Sequence, residues 1–334
     1  MSVASPSLIK SQMFLVTGGA GFIGSNIVAA LESRGAEVAV CDRLGHGDKW
    51  RNLSKRGLAD LFPPDRLSSW LRGRTLDGIY HMGAISTTTE TDADLILAQN
   101  FSVSLDLWTW CTEARVPFVY ASSAATYGDG TAGFADDDRP EALAKLRPMN
   151  AYGWSKHLFD RRAVRLAASG QKPPRWVGLK FFNVYGPNEY HKESQLSVAW
   201  QIYQRVAAGD PARLFKSYDP KYADGGQLRD FVWVGDCVQA ALWLCGNADG
   251  IYNVGSGEAR SFSDLAKAVF RASNRTPEIV YVDMPIAMRD RYQYFTRSNP
   301  EKLRRAGYTL PFTTLEDGVG RYVRDHLAKP DPYL

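Results

Sequence analysis

The sequence predicts an α/β fold, a doubly wound parallel sheet, on three observations. The first is the stretch 13–42, MFLVTGGAGFIGSNIVAALESRGAEVAVCD. It reads as a strand-length apolar run (Met13–Thr17), a glycine turn, a helix over 25–34, a second strand over 36–41 and an acid, Asp42. The second is the return of strand-length apolar runs at 77–82, 117–121 and 177–182, each separated from the next by a helical pattern. The third is that these runs end in small or hydroxyl-bearing residues, as strand ends that face a ligand do.

Strand, glycine turn, helix, strand and acid together make the βαβ unit of a Rossmann-type domain that holds a dinucleotide. Gly18 allows the sharp exit from the strand, and Gly21 lets the backbone approach a pyrophosphate. Gly24 lets the helix pack closely on the sheet. Phe22 and Ile23 stand inside this turn, and the helix N-terminus offers unpaired N–H groups to phosphate. Asp42 is placed at the adenosine ribose. A lone carboxylate there favours NAD, whereas the cations Arg43 and Lys49 favour the 2′-phosphate of NADP. The mixture leans to NADP, with NAD as the alternative; two solvated loop cations are the plainer reading.

Asp60 closes the next short element and is placed at the adenine edge; Pro63 and Pro64 make a turn before a helix over 67–72. The strand 77–82 runs through Met82 into Gly83, Ala84 and Ile85, which let the backbone come close to a cofactor. Ser86, Thr87, Thr88 and Thr89 follow, as a polar pocket wall or as a plain hydroxyl-rich turn. A helix over 95–112 carries Asn100 near its start, and the strand 117–121 leads to Ser123. Residues 129–149, with Asp136, Asp137 and Asp138 in succession, read as a solvated lid. Asn150 opens a helix to 167, and the strand 177–182 delivers Asn183 and Val184. A helix over 196–208 precedes a loop-rich stretch, 214–230. Then 232–236 and the helix to 244 read as a return to the large sheet, and 251–257 as a strand and turn. A helix over 262–272, a strand over 278–282, a basic-aromatic loop at 289–296 and helices over 299–306 and 314–327 complete the chain. The expected division is 13–182 plus about 231–260 for the dinucleotide domain. About 183–230 plus 261–328 form a smaller, discontinuous α/β substrate domain, and 1–12 a flexible extension.

Composition narrows the function classes. A net charge of +4 spread over 334 residues gives no basic footprint for nucleic acid. The four cysteines lack C-x-x-C pairing and read as buried free thiols of a reducing compartment. The His and Cys residues show no metal-ligand spacing, so no metal is expected. No signal-peptide core and no membrane-length apolar run occur, which points to a cytoplasmic protein without membrane contact.

Tyr152 and Lys156, four apart, share one helix face. A free tyrosine, with a pKa near 10, is a poor base. An adjacent ammonium, together with a positively charged oxidised nicotinamide, would favour the phenolate. Ser123, on a neighbouring strand end, is placed to bond the same substrate oxygen.

With TGGAGFIG (17–24), the Ser123 strand end, Tyr152 and Lys156, and the end at Asn183, Tyr185, Gly186 and Pro187, the chain resembles the extended short-chain dehydrogenase/reductase superfamily. The stretches HMGAISTTTE (81–90), YASSAATYG (120–128), FFNVYGPNEYHKES (181–194), RDFVWVGD (229–236) and RDRYQYFT (289–296) narrow the resemblance to its ADP-glyceromanno-heptose 6-epimerase family. The resemblance implies inversion of C6″ of ADP-heptose on the route to lipopolysaccharide. A hydride leaves to tightly bound NADP, and the resulting ketone turns over and is reduced on its other face. Tyr152, helped by Lys156 and Ser123, would serve one face and Lys192 the other. The resemblance also places Asn100 and Val184 at the cofactor. It places Ser86, Thr87, Asn183, Ser194, Arg229 and Tyr292 at the substrate, Arg229 on its diphosphate, with Phe215 and Tyr218 beside its adenosine. Similar enzymes are homo-oligomers, pentamers among them. Gln201 stands where the family carries a substrate-contacting histidine, Arg43 where it carries an asparagine, Pro63 and Pro64 near an adenine-side lysine, and the segment 219–228 is longer. The nearest alternative is a nucleotide-sugar 4-epimerase. A 4,6-dehydratase is disfavoured because Ala124 and Ala125 replace its Asp-Glu pair, and a non-catalytic NADP-binding protein would not keep Tyr152, Lys156 and Lys192.

Overall fold

The computed structural model describes residues 12–192, 195–289 and 292–334. Its centre is a seven-stranded sheet made of β1 (Met13–Thr17), β2 (Glu37–Cys41), β3 (Asp60–Phe62), β4 (Gly78–His81), β5 (Phe118–Ser123), β6 (Trp176–Phe181) and β10 (Gly250–Val254). The order is β10-β6-β5-β4-β1-β2-β3 and every pair is parallel. Both faces are covered, so these strands are continuously apolar rather than alternating. The chain winds one way from β1 to β3 and the other way from β4 onward. The reversal falls between β1 and β4, whose ends are level at Thr17 and His81. Ligands of such sheets bind outside the strand ends at that point.

The first helix is Phe22–Glu32, three residues earlier than the sequence suggested, because Gly24 belongs to its first turn. The predicted helix over 95–112 is a continuous helical stretch from Ala93 to Ala114, and a π-helical run, Leu97–Ser102, contains the fully buried Asn100. The helix Ala151–Ala168 is capped by Asn150, whose side chain accepts from Gly153 N at 2.8 Å.

A second hydrophobic core joins the helices Val198–Ala208, Phe262–Ala272 and Leu315–Arg321 through Tyr185, Trp233, Leu265 and Tyr322. Two small sheets accompany it. One orders β11 (Ala259–Ser261), β9 (Leu228–Trp233) and β7 (Asn183–Tyr185); the other pairs β8 (Ala212–Phe215) with β12 (Ile279–Val282). The expected return to the large sheet at 232–236 is therefore made later, by the helix Val234–Asn247 and β10, while β9 stays in the small sheet. The stretch 214–230 is less loop-rich than expected, since it includes the ends of β8 and β9.

Within the expected solvated lid, 129–149, two carboxylates of the acidic run are instead packed on β10. Asp136 is only 6% exposed. It accepts from Asn253 N at 2.9 Å, and Asp138 accepts from Ile251 N at 3.1 Å and pairs with Lys302 at 2.7 Å. β10 is an edge strand, and these carboxylates occupy the outward N–H groups that would otherwise be unpaired. All four cysteines are buried and free. Among the described residues no helix is long and apolar enough to cross a membrane. The expected extension 1–12 lies, but for Gln12, outside the described residues.

Candidate active site

A cleft of about 730 Å³ opens at the reversal between β1 and β4 and reaches across to the second core, where Phe231, Phe262 and Leu265 line it. One wall is the glycine turn. Gly18 has φ +66, and a Cβ there would sit 2.5 Å from Gly83 N, so the two small residues let the β1 and β4 turns touch. Gly21, Phe22, Ile23 and Gly24 continue this wall, and Met82, Gly83 and Ala84 face them. The helix beginning at Phe22 has no side-chain cap and no acid in its first turn, which leaves its N–H groups free for an anion.

A buried chain of hydrogen bonds sets this wall from behind. Ser104 Oγ donates to Asn100 O at 2.6 Å, so it accepts from His81 Nε2 at 2.9 Å. His81 Nδ1 then accepts from Thr17 Oγ1 at 2.6 Å, and Thr17 Oγ1 accepts from Gly83 N at 3.3 Å. Asn100 holds both backbone groups of Ile85, at 2.8 and 2.9 Å, and donates to Ser155 Oγ at 3.0 Å. Asn100 and Ile85 thus act from behind the cleft rather than lining it.

Asp42 and Lys49, expected at the adenosine ribose, both line the cleft and pair with each other at 2.7 Å. Asp42 also accepts from Ala20 N at 2.9 Å. Arg43 is exposed and stands outside the lining. Asp60 is committed elsewhere: its carboxylate accepts from Trp70 Nε1 at 2.7 Å and Leu61 N at 2.8 Å. Asp60 is the first residue of β3, level with Ala39 and short of the strand ends that face the cleft, and it does not line the cleft.

Ser123, Tyr152 and Lys156 line the deeper part of the cleft. The expected help from Lys156 and an oxidised nicotinamide concerns the dinucleotide-bound protein; in the protein alone burial dominates. Burial pushes Tyr152 above its ordinary value, a hydrogen bond with Ser123 opposes this, and the Asp160 carboxylate adds to it. Lys156 is itself depressed to about 8 by burial, against the pull of Asp160. Across the cleft, Lys192 Nζ lies 5.0 Å from the Phe22 ring centroid; burial holds its pKa below the usual lysine value and Glu189 opposes.

Asn183 and Val184 line the cleft, as does Ser86, whose hydroxyl reaches Gln195 at 3.5 Å. Thr87 instead bonds Thr89 at 2.8 Å, the turn reading of that stretch. Gln201 does not line the cleft; its amide donates to Leu196 O at 2.8 Å on the exposed side of its helix. Arg229, 8% exposed, lies between the rings of Phe262 (5.6 Å) and Tyr292 (5.2 Å) and has no carboxylate partner among the described residues. It adjoins the cleft through Phe262. Tyr292 stands edge-on to Phe215, and Tyr218 carries Arg289 over its ring at 3.8 Å. Ser194, with Glu193, Asp290 and Arg291, lies outside the described residues.

Sequence reasoning missed three parts of this site. His191, Gln195 and Ser197 line the cleft around Lys192. Asp160 is fully buried one turn beyond Lys156, a spacing that already placed it on the face of Tyr152 and Lys156. Lys180 is a buried charge inside the apolar run of β6, and that incongruity was the available signal.

The model of the NAD dependent epimerase/dehydratase family matches residues 14–255. The chain belongs to this family. It is 47% identical over 329 residues to the ADP-L-glycero-D-manno-heptose-6-epimerase of Nitratidesulfovibrio vulgaris (strain DP4), covering 96% of this chain and all of that one. Among solved structures it is similar to Helicobacter pylori ADP-L-glycero-D-manno-heptose-6-epimerase, with a TM-score of 0.77 and 29% identity over 94% of this chain and 96% of the other. It is also similar to the UDP-glucose 4-epimerase of Thermus thermophilus in complex with NAD, with a TM-score of 0.76 and 29% identity over 96% of this chain and all of the other. The residues present fit a nicotinamide dinucleotide, the cofactor of the family: Gly18, Gly21 and Gly24 line the cleft at the uncapped start of the first helix, which would receive a pyrophosphate, and Asp42 lines it where a ribose would lie.

Proposed function

We propose that this protein is an ADP-glyceromanno-heptose 6-epimerase that inverts C6″ of ADP-heptose. The observation that carries the reading is that Tyr152 and Lys192 arrive on different elements, one on the helix Ala151–Ala168 and the other on the loop after β7, yet line one cleft with the glycine turn. The relatives named for this activity support the choice of substrate.

A bound nicotinamide dinucleotide supplies the acceptance and return of a hydride, so that the sugar passes through a ketone. This chain's residues handle the proton of the C6″ hydroxyl. Burial biases Lys192 toward the free amine and Tyr152 toward the phenol, so one group is set to take that proton and the other to give one back. The reverse reaction exchanges their roles. Ser123 holds the phenol, and Lys156 and Asn183 stand beside it on the cleft wall. Arg229 adjoins the cleft through Phe262; its guanidinium donates to Leu228 O at 2.9 Å and has no carboxylate partner among the described residues, which suits it to a diphosphate. NADP is the preferred dinucleotide, because Lys49 neutralises Asp42, which alone would repel a 2′-phosphate.

The test is to incubate the protein with ADP-heptose and follow C6″ by NMR. Tyr152→Phe and Lys192→Ala should each lose most epimerisation while retaining bound dinucleotide; full activity in either refutes its role. The nucleotide released on denaturation should be NADP, and NAD would overturn that preference.

A further inference from the structure

We propose that Tyr333 and Asn188 are positioning residues for Lys192, with residues 331–334 forming a strap that holds its loop against the glycine turn. The proposal rests on the acid/base assignment of Lys192 made above.

Asn188 is the pivot. It is 1% exposed and has φ +72, a left-handed conformation that asparagine adopts more readily than other non-glycine residues. Its bonds run in three directions. The Asn188 Nδ2 donates to Ser25 Oγ at 3.0 Å, on the helix that begins at the glycine turn. Its carbonyl accepts from Asn52 Nδ2 at 2.9 Å, and that nitrogen also reaches Ala20 O at 2.9 Å and lies 3.1 Å from His191 Nδ1. Its Oδ1 accepts from Leu334 N at 3.0 Å. Lys192 N then donates to Glu189 O at 3.0 Å, closing the turn that presents the amine.

The strap ties this pivot to the segment that carries Lys49. Tyr333, 9% exposed, stands edge-on to Tyr190 at 5.2 Å and carries the Arg51 guanidinium over its ring at 4.8 Å. Lys55 donates to Tyr333 O at 2.8 Å and pairs with Asp331 at 2.9 Å, while Tyr190 OH donates to Pro332 O at 3.0 Å. None of these groups touches the cleft, so the strap acts on the reaction only through the loop. A proton-transfer group must be placed closely, and a misplacement of about 1 Å costs on the order of a hundredfold.

Three variants test this. Tyr333→Ala removes the ring contacts. Asn188→Gly removes the side-chain bonds in a residue that takes positive φ freely. Tyr333→Phe keeps both ring contacts. The first two should lose about tenfold or more in kcat with KM little changed, retain bound dinucleotide, and show faster amide exchange at 188–192. Tyr333→Phe should match the unsubstituted protein. Unchanged amide exchange in both variants overturns the proposal. So does a normal kcat in both when Lys192→Ala is inactive. Full activity in Lys192→Ala instead overturns the acid/base assignment, and this proposal with it.

Discussion

Lys180 Nζ lies 3.5 Å from Asp160 Oδ2, and the two side chains are 1% and 0% exposed. Asp160 also accepts from Tyr120 OH at 3.0 Å and Ser122 Oγ at 2.8 Å, and Lys180 donates to Thr126 Oγ1 at 2.8 Å beneath the Tyr127 ring. Lys156 stands one helical turn from Asp160, so two buried ammonium groups share one carboxylate behind the candidate active site.

Asp160→Asn should therefore do two things. Leaving Lys180 without its counter-charge should cost on the order of 3 kcal/mol, read from the denaturation midpoint. Lys156, already at about 8, should fall further, because Asp160 is the group that raises it. An ammonium is lost as pH rises through its pKa, so an activity that needs this charge should fail at lower pH in the variant. The alkaline limb of the kcat profile should move acidward, and an unmoved limb would refute the coupling.

His81 should make the fold acid-sensitive. Burial holds it neutral to about pH 3, and its Nδ1 is an acceptor from Thr17, so protonation would set two donors against each other. The unfolded chain takes up that proton near pH 6.5, so stability is present above 6.5 and is lost as pH falls toward 3. At about 1.36 kcal/mol per pH interval of one, His81 contributes on the order of 5 kcal/mol to that loss. His157 and His191, each depressed to about 4, add to it. Denaturation midpoints at pH 7 and pH 4.5 should show a shallower fall in His81→Gln than in the unsubstituted protein.

Gly24→Ala should expel the dinucleotide. An added Cβ would press on the Gly18 carbonyl oxygen and lie 3.0 Å from Gly19 Cα, both backbone atoms that cannot yield cheaply. The helix must then lift from the turn, at a cost of about 1–3 kcal/mol for the overpacking alone. Nucleotide released per mole of protein, measured after denaturation, should fall several-fold; a full complement would refute the role of Gly24.

The sheet was legible in the sequence because fully buried parallel strands leave uninterrupted apolar runs, as in β1 and β4. Tyr152 and Lys156 were legible because helical spacing fixes a shared face. What could not be read was where a charge ends up when burial and exposure use the same residue type. Asp136 and Asp138 look in sequence like any solvated acids, yet they cap the edge of β10. Lys180, inside the apolar run of β6, is the partner of Asp160. Asp60 opens β3 beside Ala39 and serves an indole. The upward shift of Tyr152 was unreadable for the same reason: desolvation depends on what the fold stacks around the phenol.

The pairing of β10 with β6 has a consequence in time. Residues 177–181 are made about 70 residues before 250–254, their neighbours in the finished sheet. At synthesis rates of about 5–20 residues per second, a growing chain shows the bare hydrogen-bonding flank of β6 for several seconds on the ribosome. Codons that slow translation between these two segments should lengthen that window and raise the fraction of polypeptide recovered in inclusion bodies, without altering one atom of the mature enzyme.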